Sequence, residues 1–232
     1  MFTFGRTKRK YMKPYKILNL YACLGGNRYK WDEVVDNIEV TAVELDPELA
    51  RLYQERFPND TVIVADAHQY LLDHFEDFNF IWSSPPCPTH SRARYWNSSS
   101  EHTTLKPVYP DLKLYEEIIF LDKYFSGKHC VENVVPYYDP LIHAQKRGRH
   151  LYWANFKLPQ KISARKWKDA YDIKALCEFH DFDFYKYKGS QRRNKIARNL
   201  VDYEAGRAIL ETAMGIQKQK DGPQLSLLDE IF

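Results

Sequence analysis

The sequence predicts an α/β protein built on a doubly wound, mostly parallel sheet. Short β-rich segments alternate with helical patterns through the first two-thirds of the chain, an order typical of parallel strands joined by crossover helices. Apolar residues at helical spacing support the helices between the strands. The predicted strands are 16–21, 39–44, 61–66, 78–83 and 128–133. The predicted helices are 47–57, 67–75, 111–124 and 203–214, and residues 88–110 are expected to form a long loop.

The composition is that of a globular protein of 232 residues, with 44% hydrophobic and 28% charged residues. No segment approaches the roughly 18 uncharged apolar residues of a membrane span, and the basic N-terminus lacks the apolar run of a secretory signal. Four cysteines show neither the density nor the spacing of a disulfide framework. We therefore expect a cytoplasmic, monomeric protein without a membrane partner.

The basic residues are unevenly distributed. Net charge is only +3, but lysines and arginines cluster in the stretches 6–16, 146–149, 157–168 and 186–198. Local patches of this kind matter more for contact with nucleic acid than the sum of charges does. Each stretch taken alone is equally compatible with a solvated surface.

Chemically distinctive residues follow the first three predicted strands. Gly25 and Gly26 follow the first strand, where a glycine turn lets a ligand approach the backbone closely. Glu44 ends the second strand eighteen residues later, near the offset at which an acidic group reaches ribose hydroxyls, and Asp66 ends the third. This order predicts an adenosine-containing ligand and leaves a nicotinamide cofactor and S-adenosylmethionine both open.

Three further motifs lie at the same predicted sheet edge. Residues 84–87 read Ser-Pro-Pro-Cys after the fourth strand, and residues 132–134 read Glu-Asn-Val at the end of the fifth. Residues 145–149 then read Gln-Lys-Arg-Gly-Arg. In this order the motifs resemble those of the cytosine-5 DNA methyltransferase family, in a short solitary or phage-type form. The resemblance implies the Rossmann-like fold of S-adenosylmethionine-dependent methyltransferases.

The resemblance also implies a reaction. The chain would transfer a methyl group from S-adenosylmethionine to carbon 5 of a cytosine flipped out of double-stranded DNA. A Cys87 thiolate would add to carbon 6, and Glu132 would share a proton with ring nitrogen 3. Asn133 would order the surrounding backbone, while Arg149 and Arg147 would hold the base carbonyl and the adjoining phosphate.

The cofactor contacts follow from the same resemblance. Tyr21, Gly25 and Gly26 would line the methionine end of S-adenosylmethionine. Glu44 would bind the ribose, and Asp66 would bind the adenine amino group.

Other assignments concern a late motif and the loop after the nucleophile. Asn199 lies in a degraded form of the family's last motif, which returns to the cofactor pocket. Ser91, Arg92 and Arg94 lie in the loop expected to close over the flipped base and contact DNA. The sequence departs from the family pattern at Cys23, which replaces a glycine in the first motif.

We expect four parts along the chain. Residues 1–156 form a catalytic and cofactor-binding domain, and 157–190 form a small target-recognition element. Residues 191–214 return to the catalytic domain, and 215–232 form a flexible tail. In that tail, Gln224, Leu225, Ser226, Leu227 and Leu228 resemble the peptide by which bacterial DNA-processing proteins bind the sliding clamp. The brevity of 157–190 predicts a short recognition sequence or lax readout.

Alternatives remain open at this point. A transfer-RNA cytosine-5 methyltransferase would share the motif set, and an inactive DNA-binding relative would retain the fold. A base deaminase requires His-x-Glu and Pro-Cys-x-x-Cys motifs, and neither occurs. Cys87 and His90 could pair with Cys177 and His180 as zinc ligands, but we expect no metal. The sequence does not indicate whether a restriction nuclease accompanies the protein.

Overall fold

The computed structural model describes residues 13–99, 106–162 and 171–216. They contain one seven-stranded sheet with the strand order β3-β2-β1-β4-β5-β7-β6. Strands β1 to β5 are parallel, whereas β7 is antiparallel to both β5 and β6. The strands are β1 Tyr15–Leu20, β2 Ile38–Glu44, β3 Thr61–Val64, β4 Phe80–Ser83, β5 Lys128–Val134, β6 Gln145–Arg147 and β7 His150–Ala154.

Helices connect the strands and follow the sheet. They are α1 Pro47–Arg56, α2 Ala67–His74, α3 Arg92–Ser99, α4 Lys113–Tyr124, α5 Ile173–His180, α6 Arg193–Asn199 and α7 Tyr203–Ala213. Four of them begin at an aspartate whose carboxylate accepts backbone N–H bonds of the first turn, a strong start signal. These caps are Asp46, Asp66, Asp172 and Asp202.

The two faces of the sheet carry separate hydrophobic clusters. On β1, Leu18 packs with α2 and α4 on one face, while Ile17 packs with Trp31 and α7 on the other. Both side chains of β1 are fully buried, as a parallel sheet covered on both faces requires. The carboxyl ends of β1, β2, β4 and β5 therefore form one open edge between two helical layers.

The sequence predictions of strands and helices are confirmed for five strands and four helices, each within two residues at either end. The prediction that 88–110 is entirely a loop is wrong, because α3 occupies Arg92–Ser99. This helix has little apolar periodicity, and a tertiary contact holds it: Tyr95 stacks on Tyr137 with ring centroids 4.7 Å apart. The short strands β6 and β7 were not predicted.

The segment after β7 packs on α1. Leu176 of α5, Phe184 and Ile196 of α6 share a buried cluster with Leu49 and Leu52 of α1. A 3₁₀ turn precedes α6. The expected recognition element thus has a hydrophobic base on the sheet domain, in its described residues.

Some predictions fall outside the described residues. These are the sliding-clamp motif and nearly all of the expected tail, as well as parts of the basic stretches 6–16 and 157–168. Within the described residues, no helix combines the length and apolarity needed to cross a bilayer.

Candidate active site

A cavity of about 1200 Å³ opens at the carboxyl edge of the sheet. Small-molecule pockets usually measure roughly 300–1,000 Å³, so this one has room for a cofactor together with a base. Most of the residues predicted from the sequence line it: Tyr21, Gly26, Glu44, Asp66, Cys87, Glu132, Asn133, Arg147, Arg149 and Asn199. Gly25, Ser91, Arg92 and Arg94 are not among its lining residues.

The turn after β1 adopts left-handed backbone conformations. Tyr21, Cys23 and Gly25 have φ of 56°, 48° and 66°, which costs energy at positions other than glycine. The φ of Cys23 gives a physical reason for the glycine that the family has at this position. Gly26 is required for close approach, because a Cβ there would collide with the carbonyl of Val201. The segment carrying Asn199 therefore returns to this turn.

Glu44 joins the turn to the end of β2. Its carboxylate accepts hydrogen bonds from the backbone N–H of Cys23 at 2.8 Å and of Asp46 at 2.9 Å. Burial raises the pKa of Glu44, and these two hydrogen bonds oppose the rise. Asp66 likewise lines the cavity, and its carboxylate accepts a hydrogen bond from the backbone N–H of Gln69 at 2.9 Å.

Glu117 of α4 is a buried carboxylate beside Tyr21 of the cavity wall, and no sequence motif pointed to it. It accepts hydrogen bonds from Tyr21 Oη at 2.5 Å and Ser83 Oγ at 2.6 Å, and His68 Nδ1 lies 3.0 Å away. The Glu117 bond raises the pKa of His68. One carboxylate thus joins the ends of β1 and β4 to α2 and α4. Its neighbour Glu116 is exposed. Two adjacent glutamates on a helix do not by themselves indicate that one of them is buried.

Cys87 begins a tight turn after β4. Its carbonyl accepts hydrogen bonds from His90 N at 3.0 Å and Ser91 N at 3.1 Å. The thiol is half-buried. Burial raises the pKa of Cys87, and the negative charge of Glu132 adds to the rise. The resting cysteine is therefore a thiol at neutral pH.

Strand β5 places two residues beside this turn. The Asn133 amide donates to Pro85 O at 3.0 Å and its Oδ1 accepts from Val134 N at 2.9 Å. These bonds tie the Pro-Pro-Cys segment to the end of β5. Glu132 is buried, and its carboxylate lies 3.5 Å from Nε2 of His150 on the neighbouring strand β7. His150 also lines the cavity and was missed in the sequence.

The two arginines after β5 have different surroundings. The Arg147 guanidinium donates to the carbonyls of Lys146, Leu158 and Pro159, which satisfies its donors with backbone. Gln145 holds the same segment, since it donates to Phe156 O and accepts from Leu158 N. Arg149 follows Gly148, whose φ is 59°, and lies in the hairpin turn at the cavity wall. Both arginines line the cavity.

The predicted DNA-contacting residues lie around α3. Ser91 pairs with Pro136 in an isolated β-bridge. Arg92 Nε donates to Pro136 O at 3.1 Å, and Arg94 donates to Lys106 O at 3.4 Å. The two contacts with Pro136 fasten the start of α3 to the segment after β5, whereas Arg94 contacts the segment before α4.

Across the described ranges, no cluster of three or more His, Cys, Asp or Glu side chains could hold a metal ion. Cys177 instead packs in the cluster between α5 and α1.

Comparison with known proteins confirms the family resemblance over part of the chain. Residues 15–108 match the family described as C-5 cytosine-specific DNA methylase. A methyltransferase of Entamoeba histolytica, EhMeth, superimposes with a TM-score of 0.54 and 10% identity over 90% of this chain and all of that one. The fold is therefore the Rossmann-like methyltransferase fold.

A mutant DNMT2 of Spodoptera frugiperda is 24% identical, with a TM-score of 0.36. The match covers 52% of this chain, which spans only 35% of the DNMT2 chain. No match was found among curated proteins.

Proposed function

We propose, from the family match over residues 15–108, that the chain is a DNA (cytosine-5)-methyltransferase acting on double-stranded DNA through covalent catalysis. The observation that carries the proposal is one cavity lined by Cys87, Glu132 and Arg149 at one end and by Glu44 and Asp66 at the other. A base and a cofactor bound at these two ends would meet in the same enclosed volume.

The residues at the cofactor end fit S-adenosylmethionine. The left-handed turn at 21–26 leaves room for backbone approach, and the half-buried Glu44 carboxylate is placed for ribose hydroxyls. Asp66, at the end of β3, is placed for the adenine amino group. When bound, S-adenosylmethionine supplies an electrophilic methyl group.

The residues at the base end supply the remaining chemistry. The Cys87 thiol gives its proton to water, and the resulting thiolate forms a bond to carbon 6, so that the electron pair of the 5,6 double bond becomes available at carbon 5. Glu132 donates a proton to ring nitrogen 3 as that charge develops. After carbon 5 has accepted the methyl group, its hydrogen leaves as a proton to water. The sulfur–carbon bond then breaks and returns its electron pair to Cys87, while nitrogen 3 gives its proton back to Glu132.

The protonated Glu132 carboxyl group would have two roles. It carries the proton that nitrogen 3 accepts, and it lacks the negative charge that raises the pKa of Cys87. Proton transfer and thiolate formation are therefore coupled through one carboxyl group. Arg149 would hold the base carbonyl by a charge-assisted bond, while Arg147 and Asn133 keep the two backbone segments in place.

A comparison of two substrates tests whether the protein methylates DNA or transfer RNA. Purified protein is incubated with radiolabelled S-adenosylmethionine and either duplex DNA or transfer RNA, and incorporated methyl groups are counted. We expect incorporation into duplex DNA, at sites that bisulfite sequencing of DNA from expressing cells then locates. Incorporation into transfer RNA alone would replace the DNA assignment with the transfer-RNA alternative.

The cytoplasmic location, the monomeric state, base flipping and the four-part organisation are part of the same proposal. So is capture of the tail by a bacterial sliding clamp, which would raise the local concentration of the enzyme on newly replicated DNA. Calorimetry with a peptide of residues 220–232 and a clamp tests that contact. An absence of heat at high micromolar peptide would contradict it.

A further inference from the structure

A second cavity, of about 840 Å³, adjoins the first one. It lies between the start of α5, the 3₁₀ turn at 184–186 and α6, and we call it the basic groove. Its main residues are Tyr171, Tyr185, Lys188, Arg192, Lys195 and Arg198. We propose that the basic groove binds the DNA strand that flanks the flipped cytosine. This inference rests on the proposed function and assigns a surface to it.

Charge is the first argument. Five cationic side chains line the groove, and none of its described lining residues is acidic. Among the described residues, no ion pair joins any of the five to a carboxylate. The five are Lys188, Arg192, Arg193, Lys195 and Arg198. Like charges gathered in this way repel each other until an anion lies between them.

Some cations elsewhere in the protein pair with carboxylates. Arg51 pairs with Glu48 at 2.8 Å, Arg207 pairs with Glu33 at 3.0 Å, and Lys30 pairs with a glutamate of α7 at 2.6 Å. The basic groove differs from these positions because its charged lining residues are all cationic. A polyphosphate backbone is a ligand that would supply counter-charges to such a cluster.

Aromatic rings are the second argument. The Arg193 guanidinium lies 5.6 Å from the ring centre of Tyr185, and that of Arg198 lies 5.4 Å from the ring centre of Tyr171. Tyr185 is 43% exposed and Tyr171 is 77% exposed. Exposed tyrosines beside cations are the combination that binds unpaired or splayed bases, since stacking adds to phosphate attraction. An acidic protein surface would use the charges without needing these rings.

Continuity with the catalytic cavity is the third argument. Gln191, Lys195 and Arg198 line both the groove and the cavity that contains Cys87. Burial and Glu132 raise the pKa of Cys87, and the charge of Lys195 acts against this rise. A strand lying in the groove would therefore pass directly over the entrance through which its cytosine enters.

The groove is also built before any ligand arrives. Tyr187 Oη and Gln191 Nε2 both bind the Asp46 carboxylate, at 2.8 and 3.0 Å. Asn194 donates to Tyr171 O at 2.6 Å and holds that segment against α6. Asp46 also donates its backbone N–H to Glu44 at the cofactor end. The same residue therefore contacts both the groove and the cofactor end of the cavity.

The test measures DNA affinity as a function of salt. A double variant, Lys188→Gln with Arg192→Gln, is compared with wild type by fluorescence anisotropy on a labelled cytosine-containing duplex. Each phosphate contact contributes about −0.9 to the slope of log K against log salt concentration. Loss of two contacts should therefore make the slope less steep by about 2. At low salt the affinity should fall at least about 10-fold. The matched control, Lys123→Gln with Lys128→Gln, removes the same charge from exposed positions beside the amino end of β5 and should change neither quantity.

Stacking is tested separately at Tyr185. Tyr185→Ala should weaken binding to a duplex with unpaired bases beside the cytosine by about 10-fold, the loss of one stacked base. Tyr185→Phe keeps the ring and should bind like wild type. Equal losses in both variants would contradict stacking.

The outcomes separate this inference from the proposed function. If wild type methylates DNA but the double variant keeps its salt slope, the basic groove is the wrong surface and the function stands. If wild type binds DNA through the groove without methylating it, the groove stands and the function fails. The same salt titration with an RNA of equal sequence tests whether the groove prefers DNA or RNA. A slope change seen for RNA alone would overturn the DNA assignment.

Discussion

The two ends of the catalytic cavity are built in different ways. At the cofactor end, carboxylates are held by the protein itself: Glu44 accepts two backbone bonds and Glu117 binds Tyr21 and Ser83. At the base end, the Glu132 carboxylate accepts no hydrogen bond from the described residues, and Nε2 of His150 lies 3.5 Å from it. One end is preorganised, and the other keeps its reactive groups ready for a substrate.

This difference separates binding from turnover. Substitutions at the cofactor end should change affinity and stability, because they remove bonds that already exist in the free protein. Substitutions of Cys87 and Glu132 should change turnover, because the bonds of these side chains to the base form only as the reaction proceeds. The following substitutions test that division.

Cys87→Ser should abolish methyl transfer and leave the affinity for S-adenosylmethionine near that of wild type. The thiolate acts on the base and has no contact to make with the cofactor. Turnover is measured by methyl incorporation and affinity by calorimetry. More than a few per cent of activity in Cys87→Ala would show that catalysis is not covalent.

Glu132→Gln should lower turnover by roughly two to four powers of ten, the usual contribution of a positioned proton transfer. DNA affinity should change far less, since the buried carboxyl meets the base only after flipping. Rapid-quench kinetics on saturating duplex give turnover, and anisotropy gives affinity. Equal losses in both quantities would mark Glu132 as a structural residue.

Glu117→Gln should weaken S-adenosylmethionine binding by about 10-fold and lower the free energy of unfolding by about 1–3 kcal/mol, the cost of mismatched buried polar groups. Calorimetry and urea unfolding measure the two effects. Glu116→Gln is the matched control, because this neighbouring carboxylate is exposed and should have little effect. A loss of turnover at unchanged affinity for S-adenosylmethionine would contradict this assignment, because Glu117 would then act on catalysis and not on cofactor binding.

The smallest expected effect is a shift in thiol reactivity. Because burial and Glu132 raise the pKa of Cys87 above its ordinary value of 9.0, alkylation by iodoacetamide should be slow at pH 7–8 and rise above pH 9. Glu132→Gln removes the negative charge and lowers the pKa of Cys87, so the increase in alkylation rate should occur at lower pH. Mass spectrometry follows Cys87, with Cys87→Ala as the background. A wild-type midpoint below pH 9 would contradict this electrostatic account.

The sequence predicted the sheet core well because its strands are short, apolar and bounded by turns. It missed β6, since Gln145–Arg147 is polar and only three residues long. It missed α3 because stacking of Tyr95 on Tyr137 holds that helix. Both elements depend on tertiary contacts that no local pattern records.

The candidate site was predicted where chemistry and chain order coincide, as at Cys87 and Glu132. Glu117 was missed because a glutamate beside another glutamate on a helix reads as a solvated pair. Arg147 illustrates the opposite problem. Its residue type fits a catalytic contact, but its donors are used by backbone carbonyls. Sequence identifies the groups that could react, and only the structure shows which are already occupied.

Covalent trapping tests the central claim most directly. A duplex in which the target cytosine carries fluorine at carbon 5 is incubated with the protein and S-adenosylmethionine. Fluorine cannot leave as a proton does, so the adduct should persist through denaturing electrophoresis. We predict a complex whose mass equals protein, DNA and one methyl group, linked at Cys87. Methylation of the normal duplex without any trapped complex, or an adduct at another residue, would contradict the account.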